Sequence, residues 1–265
     1  MFRRRLIIYG LFLLLTGTTF LLNAQNSQPE AQVEAEFYFA PLPSFNEMFS
    51  ALDYLEIRDF DQALEEDVFR VTEDVYQVAF ALGVNTADAI IATKARNTEK
   101  LNEIAGVMIE YAHFLGLSEE ILRLGDELHE MIGQGEWDNL MVSLEKYREE
   151  VEVSLYESRQ FDLFTLMQLG GWTQGLNRTA YMLMNNYNEA KTGIVAQKGI
   201  LNSLINNLTN IKDKYLREQS FYAMSSELYQ MIREIIYSQK ELYTEKNIED
   251  LFSHTQKVKL GFLEG

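Results

Sequence analysis

From Phe45 onward the apolar residues of the chain recur at intervals of three and four, the period of a helix that buries one face. Phe45, Met48, Phe49, Leu52 and Leu55 predict a first helix, opened by the capping box Ser44-Phe45-Asn46-Glu47. An acidic connection over 59–68, with room for a short helix, leads to a second long helix over about 72–96. Val75, Val78, Ala79, Leu82, Ala89 and Ile90 mark its buried face, and Gly83 with Asn85-Thr86 marks where it could bend. Asn97 or Thr98 caps a third helix that Gly116 ends, and Ser118 starts a fourth that runs to Gly133-Gln134-Gly135. Glu136-Trp137-Asp138 begins a fifth, to about residue 157. Further helices are predicted over 188–211, 216–239 and 247–260.

One stretch departs from the one-faced pattern. Between Leu163 and Asn188 nearly every side is apolar, and the only charge is Arg178. A helix that is apolar all round is a buried one, so residues 160–187 are predicted as a central helix wrapped by the others. Proline occurs only at 29, 41 and 43. An interior proline costs a helix about 3 kcal/mol, so its absence permits long helices from Ser44 on. No segment alternates in the manner of a strand. The connections are short. The predicted fold class is all-α, a multi-helix bundle or array of antiparallel helical hairpins around the buried helix, in a single domain over 43–265. Segments 59–64 and 135–140 resemble the turn that enters a tetratricopeptide helix, but no ~34-residue period links them, and a repeat array is the lesser reading.

Residues 1–24 read as a signal peptide: Arg3-Arg4-Arg5, an apolar run from Leu6 to Leu22, and the small Ala24 before a cleavage point. The competing reading is an uncleaved anchor, because the apolar run is long and Leu22 is large for its place. Both put the body of the protein outside the cytoplasm. Residues 25–42 read as a flexible acidic tether with an apolar, extended end.

Charge narrows the partners. The formal net charge is −17, from 23 basic and 40 acidic residues, and loss of the leader's arginines makes the remainder more acidic still. Such a surface repels phosphate backbones and anionic lipid heads, so nucleic acid is not an expected partner and membrane contact is expected only through an uncleaved leader. Cysteine is absent, which excludes disulfides, thiolate nucleophiles, iron–sulfur clusters and cysteine zinc sites.

Two isolated charges of opposite sign, Asp88 and Arg178, each lie in a charge-poor helix. They suggest a buried ion pair; the alternative is that each side chain reaches water at the rim. Gly170, Gly171 and Gly175 sit inside a helix beside Trp172, where each glycine costs about 1 kcal/mol against alanine. Close approach of another helix accounts for them, or else a ligand lying against bare backbone. Glu110-Tyr111-Ala112-His113 has the spacing of half a di-iron site, and Asp126 with His129 could mimic a second half. A full site needs the motif twice and two more glutamates, so no metal or other cofactor is expected. Nucleophile elbows, His-Glu-x-x-His and glycine fingerprints do not occur. Acidic pairs such as Glu65-Glu66 read as solvated faces, and the glycosylation patterns at Asn177 and Asn207 as chance.

Ala87-Asp88, Leu115-Gly116-Leu117-Ser118, Gly135-Glu136-Trp137-Asp138 and Leu169-Gly170-Gly171-Trp172 together resemble an uncharacterised family of secreted, all-helical bacterial proteins, over roughly 44–186. The resemblance implies an exported helical protein and brings no activity, cofactor or catalytic residue. The expected function is non-enzymatic binding or scaffolding in the periplasm or cell envelope, with a protein or a small molecule as partner. The alternatives are an enzyme or metal-binding bundle that uses carboxylates and His113, and an envelope protein held by its leader.

Overall fold

The computed structural model describes residues 45–57, 59–71, 74–238 and 242–264. The leader and tether expected over 1–42, and Ser44 of the capping box, lie outside the described residues. The first helices are α1 (Phe45–Tyr54), α2 (Val75–Ala95), α3 (Thr98–Phe114), α4 (Glu119–Gln134) and α5 (Trp137–Glu157). The rest are α6 (Phe161–Asn185), α7 (Lys198–Thr209), α8 (Lys214–Glu218), α9 (Ser220–Ser238) and α10 (Glu245–Glu264). No strand occurs among the described residues, and the fold is all-α.

Local chemistry sets most boundaries. Asp74 caps α2 by accepting from the backbone N–H of Tyr76 and Gln77, and Asn97 caps α3 through Lys100 N–H. Ser118 accepts from Ile121 N–H at the start of α4. Gly135 ends α4 at φ 71°, a left-handed conformation that glycine adopts without steric cost.

Two expected helices are each broken in two. The stretch 188–211 is a 3-10 segment, Glu189–Val195, followed by α7. Asn188 turns the chain by accepting from Ala190 N–H, and Thr192, whose hydroxyl donates to Glu189 O, also accepts from Tyr243 N–H at 2.8 Å. A tertiary contact thus fixes a segment whose second half holds the weak helix formers Thr192, Gly193 and Val195. The stretch from 216 begins earlier, because Asp213 accepts from Leu216 N–H and caps the five-residue α8. Gln219 is extended, with ψ 142°, and separates α8 from α9.

The centre holds two helices where the hydrophobic pattern predicts one. The helix read as central is buried as expected, from Leu163 through Gly170 without interruption. Its principal partner, α2, is buried at every residue from Gln77 to Thr93. The α2–α6 contact is the most extensive in the molecule, followed by that of α6 with α10. The chain therefore packs a pair far apart in sequence, unlike a nearest-neighbour array. By length and composition α2 could cross a membrane, yet 89% of its most apolar window is buried within the protein.

Glycine lets the two backbones touch. A Cβ on Gly170 would lie 2.0 Å from Phe80 O, and one on Gly83 would lie 1.9 Å from Met167 O and 2.7 Å from Gly171 N. The helix α10 closes over the pair through aromatic packing. The Phe262 ring stacks on Phe80 at 3.7 Å between centroids and meets Phe221 of α9 at 4.7 Å. Gln77 adds a polar tie by donating to Phe262 O at 2.8 Å.

Candidate functional site: a buried charge cluster and a cavity on the same helix pair

Asp88 and Arg178 face each other across α2 and α6. Arg178 Nε lies 3.6 Å from Asp88 Oδ1, and both side chains are buried, at 7% exposure or less. Each ion has further partners. Arg178 donates through Nη2 to Glu65 Oε1, and Lys259 of α10 donates to that same oxygen at 2.7 Å. Gln174, one turn before Arg178, places its amide nitrogen 2.7 Å from both oxygens of Asp88. The result is a balanced group of two carboxylates and two cations, with Lys259 only 1% exposed and its ammonium 5.8 Å from the Phe69 ring centroid.

The electrostatics follow from burial. Loss of water pushes the Asp88 carboxyl above its ordinary range, against the pull of Arg178 and Lys259. Burial, then the neighbouring Arg178 charge, lowers the Lys259 ammonium. Burial opposes ionisation of Glu65 as well, but Arg178 and Lys259 outweigh it and hold its carboxyl below the usual value. Glu65 is the wet member, its side chain 30% exposed. This corrects the reading of Glu65-Glu66 as a solvated face: Glu66 is exposed, whereas Glu65 turns inward.

The sequence reading missed Glu65, Gln174 and Lys259. One signal for Lys259 was available, because Leu251, Thr255, Val258 and Phe262 define the buried stripe of α10 and Lys259 falls on it. Glu65 carries no such signal; it is one of three consecutive acids in an irregular connection.

The same helix pair also borders a cavity of about 90 Å³. Its walls are Gly83, Thr86 and Ile90 of α2, Gly171, Gly175 and Thr179 of α6, and Leu52 of α1, closed by Val195 at the end of the 3-10 segment and Gln197 just after it. The glycines thus divide between both explanations considered for them. Gly170 and Gly171 meet the α2 backbone, and Gly171 and Gly175 line the cavity. Trp172 also lines the cavity, with its indole N–H donating to Gln197 Oε1 at 2.8 Å. The lining is mostly apolar.

Its ionic edge comes from α5. Arg148 and Glu152 line the cavity with side chains only 10% and 8% exposed. Arg148 donates to Glu152 Oε1 at 3.0 Å and to Glu145 Oε1 at 2.8 Å. Burial raises the Glu152 carboxyl, partly offset by the Arg148 charge and reinforced by Glu145 and Glu149. A perturbed carboxylate at a cavity is a recognised marker of function. Beside it the lining carries the hydroxyls of Thr86 and Thr179, and Glu145 is a second carboxyl group on the same arginine. The arrangement is suited to holding a ligand.

Glu110 and His113 do not converge on an interior site. Both are exposed, and Glu110 pairs with Arg70 at 3.1 Å. Among the described residues no group of three or more His, Asp or Glu side chains is placed to hold a metal ion. Asn177 and Asn207 are buried, and Asn177 donates to Thr255 Oγ1 at 3.0 Å, so neither stands free for glycosylation. No family model matches the chain, and no curated protein or solved structure matches it significantly.

Proposed function

We propose that this chain is an exported, non-enzymatic binding protein of the periplasm or cell envelope, and that it holds a small, largely apolar molecule between α2, α5 and α6. The observation that carries the reading is the cavity itself: apolar side chains and three glycines, bordered on one edge by a buried ion pair. Binding sites are commonly concave, mostly apolar and furnished with a few placed polar groups. The export half of the proposal rests on the basic and apolar character of residues 1–24.

Each half has its own test. 1-Hexanol, titrated calorimetrically into the full protein, should bind saturably with one site per chain. Ala87→Leu, which adds bulk at a lining position, should weaken that binding by about tenfold, as expected for blocked contact area. Absence of saturable binding, or binding indifferent to the substitution in a folded variant, would overturn the reading. N-terminal sequencing of the exported protein should give a start at Gln25; a start at Met1 would show that the leader is retained as an anchor.

A further inference from the structure

We propose that the solvent face of α5 is a docking surface for a basic amphipathic helix, a partner segment with apolar residues along one stripe and lysine or arginine beside it. The proposal stands independently of the ligand-binding reading. Asn139, Val142, Lys146, Glu149, Val153 and Tyr156 of α5 are all exposed, and they follow one another at intervals of three, four, three, four and three. That alternation is the seam by which one helix lies along another. Val142 is 66% exposed, Val153 48% and Tyr156 45%, so the apolar members of the seam stand in water. They are separate from the stripe that α5 buries in its own fold, which runs through Leu140, Leu144, Tyr147, Val151 and Leu155. An exposed apolar stripe rimmed by polar residues marks an interaction surface. From Asn139 to Tyr156 the seam is about 25 Å long, which fits an occupant helix of about five turns.

Charge selects the occupant, because the residues that flank a seam set its choice of partner. Here they are Asp138 and Glu145 on one side and Glu150 and Glu157 on the other. Asp138, Glu149, Glu150 and Glu157 form no ion pair among the described residues, so their charge is available to a partner. The surroundings have the same sign: over α3, α4 and α5, between Thr98 and Glu157, the chain carries 15 acidic and 4 basic residues. A second copy of the chain fits poorly. Laid parallel or antiparallel on itself, the seam would set acidic flank against acidic flank. A basic helix instead meets carboxylates of opposite charge along both flanks while it covers the two valines and the tyrosine.

The probe is a peptide of about 21 residues, three heptads with leucine at the first and fourth places and lysine elsewhere. Two controls are the same residues in an order that gives no apolar face, and the ordered sequence with glutamate for lysine. Titrated calorimetrically into the full protein at pH 7 and low salt, the ordered basic peptide should bind saturably, one per chain. It should bind at least ~tenfold more tightly than the reordered one, and the acidic one should not bind. Val142→Ser combined with Val153→Ser leaves the charge unchanged and should weaken binding by about tenfold. Glu149→Lys combined with Glu150→Lys should weaken it by a similar factor. Equal affinity for the ordered and reordered peptides would reduce the effect to general attraction by an acidic surface and overturn the proposal. So would binding indifferent to the valine substitutions, or self-association of the protein that those substitutions abolish, which would make a second copy the occupant. If the valine variant does not fold, the comparison of peptides and the glutamate substitutions decide.

Discussion

Arg178→Ala should destabilise the protein by about 3–5 kcal/mol, the cost of removing one partner from a buried ionic group. Among the described residues Arg178 alone reaches both carboxylates within 4 Å: it donates to Glu65 and lies 3.6 Å from Asp88. Without it Asp88, at 5% exposure, keeps the Gln174 amide but loses its closest positive charge. That loss is a large part of the ~5–15 kcal/mol by which a typical domain is folded. Urea unfolding followed by circular dichroism at pH 7 measures it. The double change Asp88→Asn with Arg178→Met should cost less than the two single changes added together, because it removes the orphaned charge with its partner. A single-variant loss under about 1 kcal/mol would show that the cluster does not hold α2 to α6.

The second large effect is at Gly170. Alanine there gains about 1 kcal/mol of helix propensity, so propensity alone predicts stabilisation. Its Cβ, however, would stand 2.0 Å from Phe80 O and 3.2 Å from Val84 N. These are backbone atoms of a buried helix and cannot swing aside, so the two helices must separate. Overpacking costs about 1–3 kcal/mol where side chains can adjust, and more is expected here. Gly170→Ala should therefore lose about 2 kcal/mol or more in the same urea assay. Gly106 is exposed in α3, with nothing within 4 Å of an added Cβ. Gly106→Ala should stabilise by up to about 1 kcal/mol. Opposite signs at two helical glycines isolate the close crossing as the cause; equal signs would refute it.

The all-α class was legible because the three-and-four period and the lack of proline leave no room for another element type. Isolation made Asp88 and Arg178 legible, each standing alone in an apolar run. The equal rank of α2 was harder to see. Its outer faces are filled by alanine, glycine, threonine and asparagine, which read as the polar side of an ordinary amphipathic helix. Small uncharged residues become interior surface only when a second backbone comes close, and that is a tertiary fact. The cavity was out of reach for a similar reason. Its walls come from α1, α2, α5, α6 and the turn after α6, and no local spacing encodes their meeting. Glu65 shows the limit most plainly, since its neighbours have the same chemistry and stay outside.

The oxygen shared by Arg178 and Lys259 also constrains the order of assembly. The two partners of the Lys259–Glu65 contact are 194 positions apart. A folding intermediate made of α2, α6 and the connection that carries Glu65 would bury Asp88 and face Glu65 with a single arginine, one positive charge short of neutrality. Docking of α10 supplies that charge and the Phe262 ring together. Consolidation of the interior and arrival of α10 are then one cooperative event, governed by closure of a very long loop, and folding should be slow for a helical protein.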